Sequence, residues 1–389
     1  MSAVIHGHAA PGLEAVAAAF EESFAGKPEM GAALSVRHRG RVVVDLWGGC
    51  ADPGSGTPWG EETASVIFSC TKGLVSVLAA QLVQEGLLDY EAPVVDYWPE
   101  YGAAGKAATR VKDVLAHRAG LSAPRVPIPP ERVTDWAAVT AQLAAQEPLW
   151  EPGSAYAYHA ITHGWLAGEL VRRVGGESVG ERFRRTIAEP LGAAAWIGLP
   201  PGLHDRVAHM TAGPTLLRLS ADQEAAAPHD GPDWLALAMT LGGAFPRELV
   251  GEDAGFNDRR IREAEIPGAG GIATARALAT IWSATFIETD GVRLLGDATI
   301  EAATEPQSGG EPFFAVPPPW PRWGMGLQLD SEARRYLTPS GFGHDGAGGQ
   351  VAFADPTSGV GFAFLTNQME AIDDVRATRV VDALRAALA

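Results

Sequence analysis

Ser69-Cys70-Thr71-Lys72 stands at the head of an apolar run, residues 74–85, that has helical spacing. On a helix, positions i and i+3 share a face, so the hydroxyl of Ser69 and the amine of Lys72 can meet. Lysine is scarce in this chain: Lys27, Lys72, Lys106 and Lys112 are the only four, against 26 arginines. A surface cation is therefore usually written as arginine, which cannot give up its proton, whereas a desolvated lysine can. A lysine kept at this spacing points to chemistry. The four-residue pattern also recurs by chance, and Ser69 alone fits a helix N-cap and Lys72 a solvated helix position.

Working outward, residues 13–25 carry Leu13, Val16, Phe20 and Phe24 at helical spacing. Residues 32–37 and 42–47 then read as two strands joined at His38-Arg39-Gly40-Arg41. A second hairpin is predicted near the C-terminus, with 351–354 and 360–366 flanking Asp355-Pro356-Thr357-Ser358-Gly359. Ile372 to Leu388 is again helical by spacing. Between the hairpins the chain is Ala- and Leu-rich at 74–85, 137–145 and 161–174, with Pro/Gly-rich connections, and 311–321 reads as an extended loop bordering a pocket. This pattern predicts an α/β plus helical protein: an antiparallel sheet built from both termini (1–65 and 270–389), flanking helices, and an inserted, mainly helical region (66–269).

At 389 residues the chain is long enough for substantial cores, and its formal charge of −17 argues against nucleic acid or an anionic membrane as partner. No basic leader opens the sequence, and no run of about 18 apolar residues occurs. Two cysteines, Cys50 and Cys70, do not make a disulfide framework. A cytoplasmic location is the expectation.

Three further segments give the Ser-x-x-Lys pattern its weight. They are Val111-Lys112-Asp113-Val114-Leu115-Ala116-His117-Arg118-Ala119-Gly120-Leu121; Trp150-Glu151-Pro152-Gly153-Ser154-Ala155-Tyr156-Ala157-Tyr158-His159-Ala160; and Gly341-Phe342-Gly343-His344-Asp345-Gly346-Ala347-Gly348-Gly349-Gln350. Together, in this order, they resemble the class C β-lactamase and penicillin-binding-protein superfamily, and within it the family VIII serine carboxylesterases. The resemblance implies a β-lactamase/transpeptidase-like fold with Ser69 as nucleophile, Lys72 as its partner and Tyr158 as the catalytic tyrosine. It places His344-Asp345-Gly346 on the substrate-binding strand motif that is Lys-Thr-Gly in β-lactamases, and an oxyanion hole at the N–H groups of Ser69 and Ala347.

The chemistry also follows from the residues. A serine hydroxyl is a poor nucleophile until a neighbouring group takes its proton. Lysine and tyrosine both have ordinary pKa values near 10, so the two would titrate as a unit, and the base is assigned to the Lys72/Tyr158 pair. No cofactor or metal is required. Departures from the β-lactamase pattern point to neutral esters: Tyr158-His159-Ala160 lacks the asparagine that binds a substrate amide, and a partly neutral His344 beside Asp345, taken to face the pocket, is a poor site for an anion.

The expected activity is therefore hydrolysis of small carboxylic esters through an acyl-serine. Rivals are acyl transfer from the same intermediate, β-lactamase or D-amino-acid peptidase activity, and a non-catalytic ligand-binding role. Plainer readings compete locally. Tyr156 is an alternative to Tyr158, and His344 can be a structural hydrogen-bonding residue. Gly176-Glu177-Ser178-Val179-Gly180 imitates a nucleophile elbow but follows a predicted helix, so Ser178 with Glu181 reads as a capping box. His159 and His163 are four apart without the glutamate of a zinc helix.

Overall fold

Arg39 and Gly40 both have positive φ, 52° and 78°, which is the backbone of a two-residue hairpin turn between the paired residues His38 and Arg41. In the computed structural model, which describes residues 3–227, 230–371 and 374–389, this turn joins β2 (Gly31–His38) to β3 (Arg41–Asp52), with β1 (Ile5–Ala9) paired to the outer edge of β3. A short β4 (Thr57–Pro58) also pairs with β3. The C-terminal half supplies β5 (Arg322–Trp323), β6 (Gln328–Leu329), β7 (Phe342–Gly346), β8 (Gln350–Asp355) and β9 (Val360–Thr366). The path across the sheet is β1-β3-β2-β9-β8-β7-β6-β5. The two ends of the chain meet where β9 lies antiparallel to β2, from Val360 opposite His38 to Thr366 opposite Ala32.

Period-2 alternation divides the buried side chains between the two sheet faces. Leu34, Val36, Phe353, Phe362 and Phe364 pack against Phe20 of the first helix (Glu14–Glu22) and Val380 and Leu384 of the last (Arg376–Leu388). The last helix was expected from Ile372, which lies outside the described residues. The opposite face presents Ala352, Ala354, Ala363 and Leu365 to the larger core. Small residues there let the Ala275–Phe286 helix come close: a Cβ on Gly361 would fall 2.4 Å from the Ala279 carbonyl oxygen. The serine helix (Cys70–Gln84) covers β7 on this same face.

The intervening region is mainly helical, and its Thr162–Gly175 helix packs across the serine helix. A small three-stranded sheet stands where the chain leaves and re-enters the main sheet's surroundings, with Gly271–Ala273 between Ser65–Val66 and Ala195–Ile197. Residues 311–321 form neither helix nor strand. Among the described residues, no helix is long and apolar enough to cross a membrane.

Gly164 and Gly268 let the Thr162–Gly175 helix touch a neighbouring loop backbone. A Cβ on Gly164 would fall 1.9 Å from the Gly268 nitrogen, and one on Gly268 would fall 2.4 Å from the Ile161 carbonyl oxygen. Neither backbone can yield as a side chain would. Gly164→Ala should therefore destabilise the protein by about 1–3 kcal/mol through overpacking, despite alanine's better helix propensity. The check is the guanidinium midpoint, and an unchanged or raised midpoint would contradict the contact.

Candidate active site

Phe68 turns the chain from the Ser65–Val66 strand into the serine helix with φ +43°, a left-handed conformation that a bulky residue rarely adopts. Several contacts hold it there. Phe68 is fully buried with its ring edge-on to Phe256 at 5.4 Å. Thr71 Oγ1 donates to the Phe68 carbonyl at 2.5 Å and accepts from Gly271 N–H at 2.9 Å. The next residue, Ser69, is half-buried between the fully buried Phe68 and Cys70. Ser69 occupies the N-cap position, yet its hydroxyl makes no capping bond. Instead Ser69 Oγ lies 2.9 Å from Lys72 Nζ. Cys70 packs in the core as a free thiol, pushed up in pKa by burial.

Lys72 is fully buried, and its amine is near two carbonyl oxygens, Ala160 at 2.5 Å and Gly268 at 2.6 Å. Among the described residues, none of its hydrogen-bond partners is a carboxylate. Burial drives its pKa well below the usual lysine value. In the neutral form that burial favours, the amine has two N–H donors for the two carbonyls and a lone pair that can accept the Ser69 proton. Ala160 thus matters through its backbone, a role its side chain did not suggest.

Tyr158 completes the group. Lys72 Nζ stands 4.9 Å from the centre of the phenol ring, and Trp323 stacks on the ring at 5.3 Å and 13°. Burial pushes the phenol pKa above its ordinary value, while the nearby Ser69 hydroxyl acts in the opposite direction. The phenol therefore rests protonated. Tyr156 is engaged elsewhere: its hydroxyl donates to the Gly310 carbonyl, and its own carbonyl accepts Phe313 N–H at 2.7 Å. Ser178 forms a reciprocal capping box with Glu181 after the Thr162–Gly175 helix, so no strand precedes it.

His344 and Asp345 part company. On β7 His344 pairs with Ala352 and Asp345 with Val351, which belong to opposite sheet faces. His344 turns toward the site, its ring 5.2 Å from Trp323 and 6.0 Å from Tyr158. Burial, reinforced by Lys72, lowers its pKa well below the usual histidine value, so the ring is neutral. Asp345, expected to face the pocket, instead points behind the sheet, where Arg334 Nε donates to its carboxylate at 2.6 Å. Alternation along the strand forces this correction.

The end of β7 abuts the serine elbow, since a Cβ on Gly346 would fall 2.4 Å from the Ile67 carbonyl oxygen. Ala347 follows directly. The turn after it is fixed from below by Arg376, which donates to the Gly348 carbonyl at 2.9 Å and pairs with Asp374 at 2.6 Å. Arg376, Trp323 and the Gly268 carbonyl were not singled out from sequence. The lone signal for Trp323 was its place just after the proline-rich loop.

Against known proteins, the sequence model of the beta-lactamase family matches residues 16–387. The esterase/beta-lactamase LipL of Mycobacterium tuberculosis is 35% identical over 373 residues, covering 94% of this chain and 83% of that protein. The crystal structure of a family VIII carboxylesterase superposes with a TM-score of 0.87 at 35% identity, covering 99% and 100% of the two chains. A penicillin-binding protein homologue from Caulobacter crescentus gives 0.85 at 38% identity, with coverage of 99% and 100%.

The buried histidines behind the site make stability sensitive to acid. Burial lowers His159 to about 4 and His163 to about 3, from an ordinary value of 6.5. As pH falls below 6.5 the unfolded chain takes up these protons and the folded protein does not. Stability is thus undiminished above 6.5, and each ring contributes a loss of about 1.4 kcal/mol per pH unit within its window. Guanidinium midpoints should decline from pH 7.5 to 5. His163→Gln, whose amide can keep the bond to the Leu115 carbonyl, should flatten that decline.

Proposed function

We propose, on the premise that the chain belongs to the beta-lactamase family, that it is a serine carboxylesterase acting on small neutral esters through an acyl-serine. The observation that carries this reading is the fully buried Lys72 amine, which lies 2.9 Å from Ser69 Oγ and otherwise meets only the carbonyls of Ala160 and Gly268 among the described residues. Burial lowers its pKa, which suits such an amine to take the serine proton.

In the first half-reaction Ser69 Oγ attacks the ester carbonyl and its proton passes to Lys72. The carbonyl oxygen becomes an oxyanion between the N–H groups of Ser69 and Ala347. Collapse breaks the bond to the alcohol, which leaves with a proton from Tyr158, and Lys72 returns a proton to the phenolate. A resting phenol raised in pKa suits this role as acid, and its hydroxyl is close enough to Ser69 to interact with it. Water then attacks the acyl-serine, loses its proton through the same pair, and Ser69 Oγ leaves reprotonated. The carboxylic acid departs.

Neutral substrates are favoured because β7 offers the site a neutral His344 and keeps the charged pair Asp345–Arg334 on its far face. The alanine side chain at position 160 has no group for a substrate amide. The name of the 35% identical LipL, esterase/beta-lactamase, supports a second activity on β-lactams. Hydrolysis of nitrocefin alongside p-nitrophenyl butyrate measures how far that extends.

Wild type should hydrolyse p-nitrophenyl butyrate and be labelled once by a fluorophosphonate. Ser69→Ala should lose labelling and at least about 10³-fold in kcat/KM. Lys72→Arg keeps a cation but cannot shed its proton, and should be equally inactive. In wild type kcat/KM should rise with pH as Lys72 deprotonates, with the limb well below the usual lysine range. Wild-type turnover by Ser69→Ala would refute the assignment.

A further inference from the structure

We infer that His117 is the residue that positions Tyr158, a role that rests on the Ser69–Lys72–Tyr158 chemistry proposed above. His117 holds the chain on both sides of the tyrosine. Its carbonyl accepts the N–H of Ala157 at 3.2 Å, and its ring Nδ1 accepts the N–H of His159 at 3.2 Å. Its ring also stands edge-on to the phenol at 4.9 Å and 62°, and edge-on to Trp323 at 4.7 Å and 73°. One side chain thus touches the phenol, the tryptophan stacked on it and the backbone that carries it.

The bond to His159 N–H requires Nδ1 to be a lone pair, so the neutral ring carries its hydrogen on Nε2. That atom is buried and has no hydrogen-bond partner among the described residues. A merely structural imidazole would gain from satisfying Nε2; here Nδ1 is the nitrogen put to use. His117 is fully buried and adopts φ +63°, a left-handed conformation uncommon outside glycine. Burial, then His163 at 4.7 Å and His159 at 5.7 Å, with Lys72 and His344 also acting on it, disfavour a charge on this ring.

Two replacements separate the acceptor from the backbone. Asparagine tolerates positive φ and places an oxygen near the position of Nδ1; glycine tolerates positive φ and offers no acceptor. His117→Asn should keep kcat within about 10-fold of wild type, whereas His117→Gly should lose on the order of 10²-fold, the scale of a misplaced catalytic group. Both should be rated per site titratable by fluorophosphonate, with KM changing less than kcat. Adding His117→Gly to Tyr158→Phe should cost less than about threefold further, because its effect runs through the phenol. Equal activity of the Gly and Asn variants, or full additivity with Tyr158→Phe, would overturn the role.

A readout independent of turnover is the ultraviolet titration of the phenol, identified by its absence in Tyr158→Phe. In His117→Gly it should move down toward the ordinary tyrosine value as the segment loosens, and in His117→Asn it should stay raised. An unmoved phenol in His117→Gly would reject the positioning role. Failure of wild type to be labelled at Ser69, with the titration behaving as described, would instead locate the error in the proposed reaction.

Discussion

A lysine amine buried with carbonyl partners in place of a carboxylate is the constraint around which this protein is organised. An ammonium buried without an anion costs several kcal/mol, on the order of the stability of a domain. Bringing a carboxylate to Lys72 would offset that cost, and would also fix the proton where it is useless. The chain supplies carbonyl oxygens instead, one from Ala160 and one from Gly268. Dipoles satisfy the N–H groups without attracting a third proton strongly. The same logic extends to the surroundings: His117, His159, His163 and His344 are all buried and all shifted toward their neutral forms.

The sheet converts this local requirement into a site with two sides. One face of β7 presents His344 to the reacting groups, and the other carries Asp345 and Arg334. Charge is thereby kept one strand's thickness from the lysine. The turn that follows β7 is anchored in a similar manner, by the buried pair Arg376–Asp374, through the Gly348 carbonyl. Strongly charged groups thus brace the neighbourhood of the chemistry without entering it.

What was legible in the sequence divides along physical lines. Hairpins and helices were legible because period-2 and period-3.6 patterns and turn residues are local. The spacing of Ser69 and Lys72 predicted a shared helix face, and the two side chains do meet there. Choosing Tyr158 over Tyr156 rested on a resemblance; the structure separates them by giving Tyr156 a carbonyl partner at Gly310. Motif position puts Asp345 in the pocket, but strand alternation sends it to the far face, where Arg334 pairs with it. The carbonyl of Gly268 left no trace in the residue itself: any amino acid has a carbonyl, and only the close approach of Gly164 brings this one to the amine. His117 and Trp323 were beyond reach for a related reason, since their importance lies in contacts between segments far apart in sequence.

The junction of β2 with β9 has a consequence for how the protein comes into being. Gly31 donates to the side chain of Asn367 across 336 residues of chain, and the turn beside Ser69 belongs to the same late segment. During synthesis the ribosome delivers Ser69 and Lys72 long before the strands that complete their surroundings. The nascent polypeptide must keep a half-built sheet edge and a large apolar face out of trouble until β9 emerges, the long-range closure that slows folding and exposes aggregation-prone edges. Ser69 and Lys72 therefore wait through most of that synthesis for the strands that enclose them.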